Sequence, residues 1–439
     1  MTAEIAIMNR AGVALAADSA VSIATSSGNT KIYNSNKLFM LSKYRPVGVM
    51  IYGNADLMSA PWETIIKLYR KDLGETPYKT LREYGESFVN FIKNSNALFP
   101  ENDQTDHVYL TSFRVFSKVK KEIDSRIKQA TLAGTPKIST SQIARIADET
   151  IERVKRVIET YPRLTLVPGG YERRILSHYY KVIQQAIDDC FRNYPFSSTR
   201  ARKELRRIAA TLFVRDLFEF RDGSGNRILP FSGVVVAGFG EDDLYPCLIS
   251  YQMEGVADNV LKYKEDLEYK IGSGLSATLV PFAQKEMIYG FMDGATVEYR
   301  QVIKGALDEL FDKYPQHVIK QLKGMSKKKR TDLLTHLKSD GADLLDKCWD
   351  AVNEWMKKNN SDPILDTIEV LPIAELASMA ESLVNLTSFK RRVTLRVPET
   401  VGGPIDVAVI TKGDGFIWIN RKHYFEAKAN PHFFQNYYR

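Results

Sequence analysis

The chain opens with the stretch Met1-Thr2-Ala3-Glu4-Ile5-Ala6-Ile7-Met8-Asn9-Arg10-Ala11-Gly12-Val13-Ala14-Leu15-Ala16-Ala17-Asp18-Ser19. It holds two short apolar runs around a turn with a glycine, and this pattern predicts a β-hairpin. The second run ends on Asp18, and Lys37 begins a third apolar run, Lys37-Leu38-Phe39-Met40-Leu41. A threonine after the first methionine, an acid that closes one strand and a lysine that opens another are components of an amine-activated nucleophile.

Thr2 is the candidate nucleophile, because removal of Met1 would make it the first residue. The small threonine side chain permits that removal, so no propeptide is needed. A threonine hydroxyl reacts once a base takes its proton, and the free α-amine can be that base. The pKa of such an amine is about 7.7–8.0, so part of it is neutral near pH 7. A lysine ammonium such as Lys37 would lower that pKa, and Asp18 would keep the lysine charged and oriented. The alternative is that Met-Thr is merely a common way for a chain to begin.

A longer pattern contains these three residues. The string Thr2…Gly12-Val13…Ala16-Ala17-Asp18-Ser19…Lys37…Gly53-Asn54-Ala55-Asp56 resembles the opening of proteasome β-subunits and bacterial proteasome-like peptidases. These are threonine-type N-terminal-nucleophile (Ntn) hydrolases. The resemblance implies that Thr2, Asp18 and Lys37 are catalytic. It also implies that the Gly53 N–H stabilises the tetrahedral oxyanion, a role commonly worth the most in catalysis.

Later stretches extend the resemblance. Residues 232–240 and 245–251 resemble the central hairpin of the family, and Ile271-Gly272-Ser273-Gly274 follows them. The resemblance implies that Ser273 lies beside the threonine amine and helps to move its proton, and we expect a helix over 275–290. Near the C-terminus the order is again that of the family: a helix over 374–383, Gly402-Gly403, a strand, Asp414-Gly415 and a strand. An Asp-Gly between two apolar runs is itself a strong hairpin signal.

The sequence departs from the family just before Gly402. Proteasome subunits carry Asp-x-x-Ser at that point, whereas this chain has Val397-Pro398-Glu399-Thr400-Val401. Glu399 and Thr400 are the candidates to replace that support. A catalytically silent structural or recognition subunit is therefore one alternative, although the joint presence of Thr2, Asp18 and Lys37 argues against it.

Two blocks with helical periodicity account for the remaining length. In the first, Val119, Ile123 and Ile127 repeat at four-residue spacing, as on one buried helix face. Further helices are expected over 141–159, 174–194, 200–220, 302–311 and 331–358. We expect an α+β chain with a four-layer αββα Ntn-hydrolase sandwich built from residues 1–61, 228–295 and 371–439. Residues 62–227 and 296–370 would be two large helical insertions.

Composition is ordinary for a globular chain, with 44% hydrophobic and 26% charged residues. No apolar stretch approaches the length of a membrane span, and the first strand carries Glu4, which excludes a signal peptide pattern. Cys190, Cys247 and Cys348 are widely spaced, and the six histidines show no paired spacing. We therefore expect a cytoplasmic protein without disulfides, metal or cofactor, and no membrane partner.

The net charge of +8 is modest, but basic residues are concentrated at 118–121, 200–207 and 327–330. Such runs can contact phosphates, so a basic nucleic-acid-binding module is a second alternative. Solvated loops are the commoner explanation, and the absence of aromatics within 327–330 disfavours single-strand binding. Aromatic residues crowd the tail at 424–438, which we expect to dock on the body or on a neighbouring subunit.

The sequence thus predicts a threonine-type endopeptidase or amidohydrolase that cleaves amide bonds in peptides or proteins. Thr2 Oγ1 would attack the carbonyl to form an acyl-enzyme, which water then releases. Because members of the resembled family work as rings, the resemblance also implies a homo-oligomer. An ATPase unfoldase on another chain is a further implied partner.

Overall fold

The computed structural model describes residues 3–24, 30–132, 138–192, 194–196, 199–393, 402–423 and 425–437. The chain is a mixed α/β protein with antiparallel sheets. Its strands are β1 (Glu4–Asn9), β2 (Gly12–Ala17), β3 (Ala20–Ala24), β4 (Thr30–Asn34), β5 (Leu38–Met40), β6 (Val47–Gly53), β7 (Asp56–Leu57), β8 (Ala60–Pro61), β9 (Ser232–Gly238), β10 (Cys247–Ala257), β11 (Val260–Lys270), β12 (Thr278–Pro281), β13 (Asp406–Thr411) and β14 (Gly415–Asn420).

The α-helices lie mainly between these groups of strands. They are α1 (Trp62–Leu73), α2 (Leu81–Asn94), α3 (Glu101–Leu132), α4 (Thr140–Thr160), α5 (Tyr171–His178), α6 (Tyr180–Phe191), α7 (Thr199–Leu212), α8 (Lys285–Asp293), α9 (Val297–Gln321), α10 (Lys327–Met356), α11 (Asp362–Val370), α12 (Ile373–Val393) and α13 (Pro431–Tyr437). None of the described helices is both long enough and apolar enough to cross a membrane.

Compactness divides the chain into two units, and the first comprises Met1–Asn34, Ile271–Val409 and Ile417–Arg439. Its five-stranded sheet has the order β12-β1-β2-β13-β14. The hairpin predicted from the opening residues is confirmed, since β1 and β2 pair antiparallel from Glu4↔Ala17 to Asn9↔Gly12. Both strands are completely buried, and side chains of α11 and α12 pack against them in one apolar core.

The second unit comprises Ser35–Lys270 and Ile410–Phe416. Its sheet has the order β11-β10-β9-β6-β5. The predicted central hairpin is confirmed, because β9 pairs antiparallel with β10 from Ser232↔Met253 to Gly238↔Cys247. Helices α1 and α2 cover the apolar side chains of this sheet, while α3 to α7 enclose a separate apolar core.

The periodicity at 119–127 correctly predicts a helix, because Val119 and Ile123 are buried on α3. The helix expected over 200–220 ends earlier, at Leu212, and the helix expected over 174–194 is broken at Tyr179. The expectation of one helix over 275–290 is wrong. Residues Thr278–Pro281 form β12, which pairs with β1, and α8 starts only at Lys285. A short apolar run is compatible with a helix or with a strand. Here the residues form a strand because they pair with β1.

Candidate active site

Thr2, the expected nucleophile, lies outside the described residues, as do Glu399 and Thr400. The description of the chain begins at Ala3, whose side chain is buried against the apolar core of the first unit. Ala3 is the described residue that directly follows Thr2 in the sequence.

Asp18 holds Ala3 in place. The acid ends β2 and is fully buried. Its Oδ1 accepts a hydrogen bond from the Ala3 N–H at 3.0 Å, and its own N–H donates to the Ala3 carbonyl at 3.0 Å. Its Oδ2 accepts from the N–H groups of Ala20 at 3.3 Å and Gly402 at 3.0 Å. Hydrogen bonds to a carboxylate are roughly twice as strong as neutral ones, so Asp18 joins the start of β1 firmly to the Gly402 loop.

The Gly402-Gly403 pair expected from the family order lies against Ser19. The N–H groups of Ser19 and Ala20 donate to the Gly402 carbonyl at 3.2 and 3.1 Å, and the Ser19 hydroxyl donates to the carbonyl of Pro404. Gly403 has a φ of +79°, and a Cβ placed there would lie 2.8 Å from the Asn34 Oδ1. Only glycine adopts that conformation without strain, which explains the second glycine of the pair.

Ser273, the expected proton shuttle, lies in the loop between β11 and β12. It is exposed, and a turn closed by the Gly272 N–H and the Leu275 carbonyl at 2.9 Å surrounds it. Ser273 takes no part in the hydrogen bonds that link Asp18 to Ala3 and Gly402. Within the first unit, therefore, Asp18 contacts the residue next to Thr2, whereas Ser273 is presented on an open loop.

Lys37 belongs to the second unit and immediately precedes β5. It is only 4% exposed. Its carbonyl accepts a hydrogen bond from the Ile51 N–H at 2.8 Å, so Lys37 is paired with the last part of β6. Lysine side chains are almost never this deeply buried unless they are paired.

Gly53, the expected oxyanion donor, ends β6 with a φ of +84°. A Cβ at this position would lie 2.5 Å from the Phe231 carbonyl oxygen, so only glycine fits. The Asn54 N–H donates to that carbonyl at 3.2 Å, on the side of β9, whereas the Ile51 N–H points to Lys37. Successive N–H groups of a strand alternate between its two edges. The Gly53 N–H is therefore directed to the same edge of β6 as Lys37.

Two further polar groups of the first unit carry no local signal in the sequence. The Asn9 amide, which is buried, donates to the carbonyls of Ile368 at 2.8 Å and Leu371 at 2.9 Å at the end of α11. Asp406, at the start of β13, accepts from the Lys422 N–H at 2.8 Å and forms an ion pair with the same lysine. Both bonds join segments distant in sequence, so no motif or spacing could have indicated them.

Two of the three basic runs are partly paired with acids. Arg202 and Arg207 form ion pairs with Asp188 and Glu204, and Lys118 pairs with Asp222 at 2.6 Å. The lysines of the third run, 327–329, are exposed at the start of α10. The charges of the first two runs are thus partly neutralised within the protein, which weakens their case as phosphate contacts.

No protein-family model matches the chain, and no curated protein matches it in sequence. The interpretation of the site therefore depends on the residues and contacts given above.

Proposed function

We propose that this protein is a proteasome-like threonine-type Ntn hydrolase that cleaves amide bonds in peptides or proteins, with the αββα arrangement of that family. The observation that carries the proposal is the buried Asp18 carboxylate, which binds the N–H of Ala3, the residue after Thr2. An acid in this place holds the backbone of Ala3 in one position. Such positioning is what a nucleophile at the N-terminus requires.

The reaction assigned to the site has two halves. The α-amine of Thr2 takes the proton of Oγ1 while Oγ1 attacks the amide carbon, and the proton then goes to the leaving amine. The resulting ester is hydrolysed by a water molecule that the same amine deprotonates. The proposal gives Lys37 the role of lowering the pKa of the nucleophile and Gly53 the role of oxyanion donor.

Local geometry supports the roles of Lys37 and Gly53. The pairing of Ile51 with Lys37 and of Asn54 with Phe231 directs the Gly53 N–H to the edge of β6 where Lys37 lies. A backbone N–H at this edge suits the role of donor to a developing oxyanion, which supports the part proposed for Gly53. Ser273 keeps its role only as an implication of the resemblance, because its loop is open.

The first test is the state of the N-terminus and the effect of changing it. Intact mass of the purified protein should show loss of Met1, which the mechanism requires. Turnover of fluorogenic peptides should vanish in Thr2→Ala and persist in part in Thr2→Ser, because the hydroxyl and the amine are the essential groups. Thr367→Ala, which changes an exposed threonine on α11, is the matched control and should keep full activity.

Two outcomes would redirect the proposal. Equal turnover by the wild type and Thr2→Ala would exclude Thr2 as nucleophile. A folded protein that has lost Met1 but has no turnover on any peptide library would favour the silent-subunit alternative. Salt-dependent binding to DNA that disappears when residues 327–330 are neutralised would instead favour the nucleic-acid-binding module.

The resemblance also suggests partners for the proposed hydrolase. A peptide or protein is the proposed substrate, a ring of identical chains is the proposed assembly, and an ATPase unfoldase is the proposed source of unfolded substrate. Size measurement of the purified protein tests the assembly directly. The unfoldase is tested by adding one to the purified protein. It should stimulate degradation of folded proteins but not cleavage of short peptides.

A further inference from the structure

A cavity of about 320 Å³ lies between helix α2 and strands β10 and β11 of the second unit. This volume falls within the range of small-molecule sites. One wall is a side of α2 that carries Glu86, Asn90 and Lys93, at the spacing of a single helix face. Tyr251 and Tyr263 belong to the wall that the strands form. The cavity therefore has charged and polar groups along one wall and aromatic rings along the other.

The end of the cavity at Lys93 offers hydrogen-bond donors. The Lys93 ammonium donates to the Tyr263 hydroxyl at 2.8 Å. An ammonium cannot accept a hydrogen bond, so the hydroxyl accepts here and its own proton points elsewhere. No acceptor among the described residues takes that proton, although Tyr263 is only 9% exposed. The remaining ammonium protons, this hydroxyl proton and the Asn90 amide together suit a carboxylate.

The end of the cavity at Glu86 is negative. Arg82 donates to Glu265, which also lines the cavity, at 2.9 and 3.0 Å. The same guanidinium donates to Glu268 at 2.6 Å, whereas the Glu86 carboxylate lies 3.9 Å from it. One guanidinium thus serves three carboxylates, which leaves a net charge of −2 on these four side chains. Because Glu86 is the least well paired of the three, it is the natural partner for an added ammonium.

Between the two ends the cavity is lined by apolar surface. The rings of Tyr251 and Tyr263 have their centroids 6.5 Å apart, and the buried Val89 of α2 faces the same space. Leu166, on the loop between α4 and α5, also lines the cavity, although it is 54% exposed. An apolar group of a bound molecule would remove part of this surface from water, which favours binding.

The distance between the charged ends limits the size of the bound molecule. Glu86 and Lys93 lie about two turns apart on α2, which is roughly 10 Å along the helix axis. An extended peptide spans at most about 3.3–3.6 Å per residue, so two or three residues are about 7–11 Å long. A single amino acid is too short to contact both ends. A dipeptide or tripeptide contacts both, with the two side chains bending toward it.

We propose that this cavity binds a short peptide with free ends, a dipeptide or tripeptide with apolar side chains. The ammonium of the peptide contacts Glu86, and its carboxylate contacts Lys93, Tyr263 and Asn90. Its side chains cover the tyrosine rings and Leu166. The cavity contains none of the residues proposed for catalysis, so this inference does not depend on the proposed hydrolysis.

Calorimetric titration of the full-length chain tests this inference. Every sample carries Thr2→Ala, so that the proposed hydrolysis cannot consume the probe. The probes are leucyl-leucine, its N-acetyl form and its C-terminal amide. Leucyl-leucine should bind, and each blocked form should bind about tenfold more weakly or worse, because each loses one charge-assisted contact. Equal binding of the three probes, or no binding of leucyl-leucine at millimolar concentration, would overturn the inference.

Variants at the two ends show whether the probe occupies this cavity. Lys93→Met should abolish the advantage of leucyl-leucine over its amide, and Glu86→Gln should abolish the advantage over the N-acetyl form. Tyr263→Phe keeps the buried ring and should weaken the probes that have a free carboxylate. Lys71→Met and Glu75→Gln, at exposed residues on and after α1, are the controls and should change neither preference. Circular dichroism reports on the folding of each variant. End variants that are folded and keep both preferences would contradict the proposal.

Discussion

At the scale of single residues, the sequence indicates the position of Asp18 but not the residues that it binds. The sequence identifies it as an acid at the end of a strand, and the structure places it there, fully buried. Its partners were not predictable, because the Gly402 N–H belongs to a loop 384 residues later. Lys37 could be named from its place at the start of an apolar run, whereas Gly53 was indicated only by the resemblance to proteasome-like chains.

Asp18→Asn tests this residue. An amide has one acceptor oxygen, and its NH₂ group would face N–H donors, so buried hydrogen bonds are lost. We expect the free energy of unfolding to fall by about 1–3 kcal/mol, measured by urea denaturation. Peptide turnover should fall as well, because the Ala3 N–H, next to the proposed nucleophile, loses its buried acceptor. Asp242→Asn, at an exposed acid, should change neither quantity. An unaltered unfolding midpoint in Asp18→Asn would show that these bonds contribute nothing.

At the scale of elements, the strands β1 and β2 were predictable, because apolar runs flank a glycine turn in the sequence. The strand β12 was not predictable. The opening hairpin and the helix around Val119 follow from local pattern, so they are correct. The prediction of a helix at Thr278–Pro281 is wrong because the structure of these residues depends on pairing with β1. No local pattern in the sequence indicates that pairing. The helix around residue 141 was placed nearly correctly, although its cap is Ser139, whose side chain and Gln142 form a capping box.

The junction between the opening hairpin and α11 provides a test at this scale. The buried Asn9 amide donates to the carbonyls of Ile368 and Leu371 at the end of α11, where the Ile368 carbonyl also accepts from the Leu371 N–H at 3.3 Å. Asn9→Ala should cost about 1–3 kcal/mol in the free energy of unfolding, because both carbonyls lose the buried side-chain hydrogen bond from Asn9. Urea denaturation measures this, with Asn90→Ala, at an exposed asparagine on α2, as the comparison. Equal stability of the two variants would mean that water replaces the amide.

At the scale of the whole molecule, one histidine should make the free energy of unfolding depend on pH. Burial, with Lys262 and Arg114 nearby, lowers the pKa of His107 to about 3. In the unfolded chain this histidine binds a proton below about pH 6.5, whereas the folded chain excludes it until about pH 3. Stability is therefore fully present above pH 6.5 and is lost as the pH falls, by up to about 1.4 kcal/mol per unit.

Comparison with His107→Gln isolates this effect from other titrating groups. Urea denaturation at pH 7 and pH 5 should show a smaller loss of stability in the variant than in the wild type. His336→Gln, at an exposed histidine on α10, should behave like the wild type. Parallel pH profiles for wild type and His107→Gln would contradict the expectation.

The hydrogen bond between Asp18 and the Gly402 N–H also determines the order of events during synthesis. The two residues are 384 positions apart. At about 5–20 residues per second, a ribosome needs roughly 20–80 s to pass from one to the other. Until then Asp18 lacks its partner in the Gly402 loop, so the set of hydrogen bonds that joins Ala3 to this loop is incomplete. A nascent or truncated chain would therefore lack one of the hydrogen bonds that the proposed site includes. This delay would keep a hydrolase inert while its own unfolded segments are still emerging beside it.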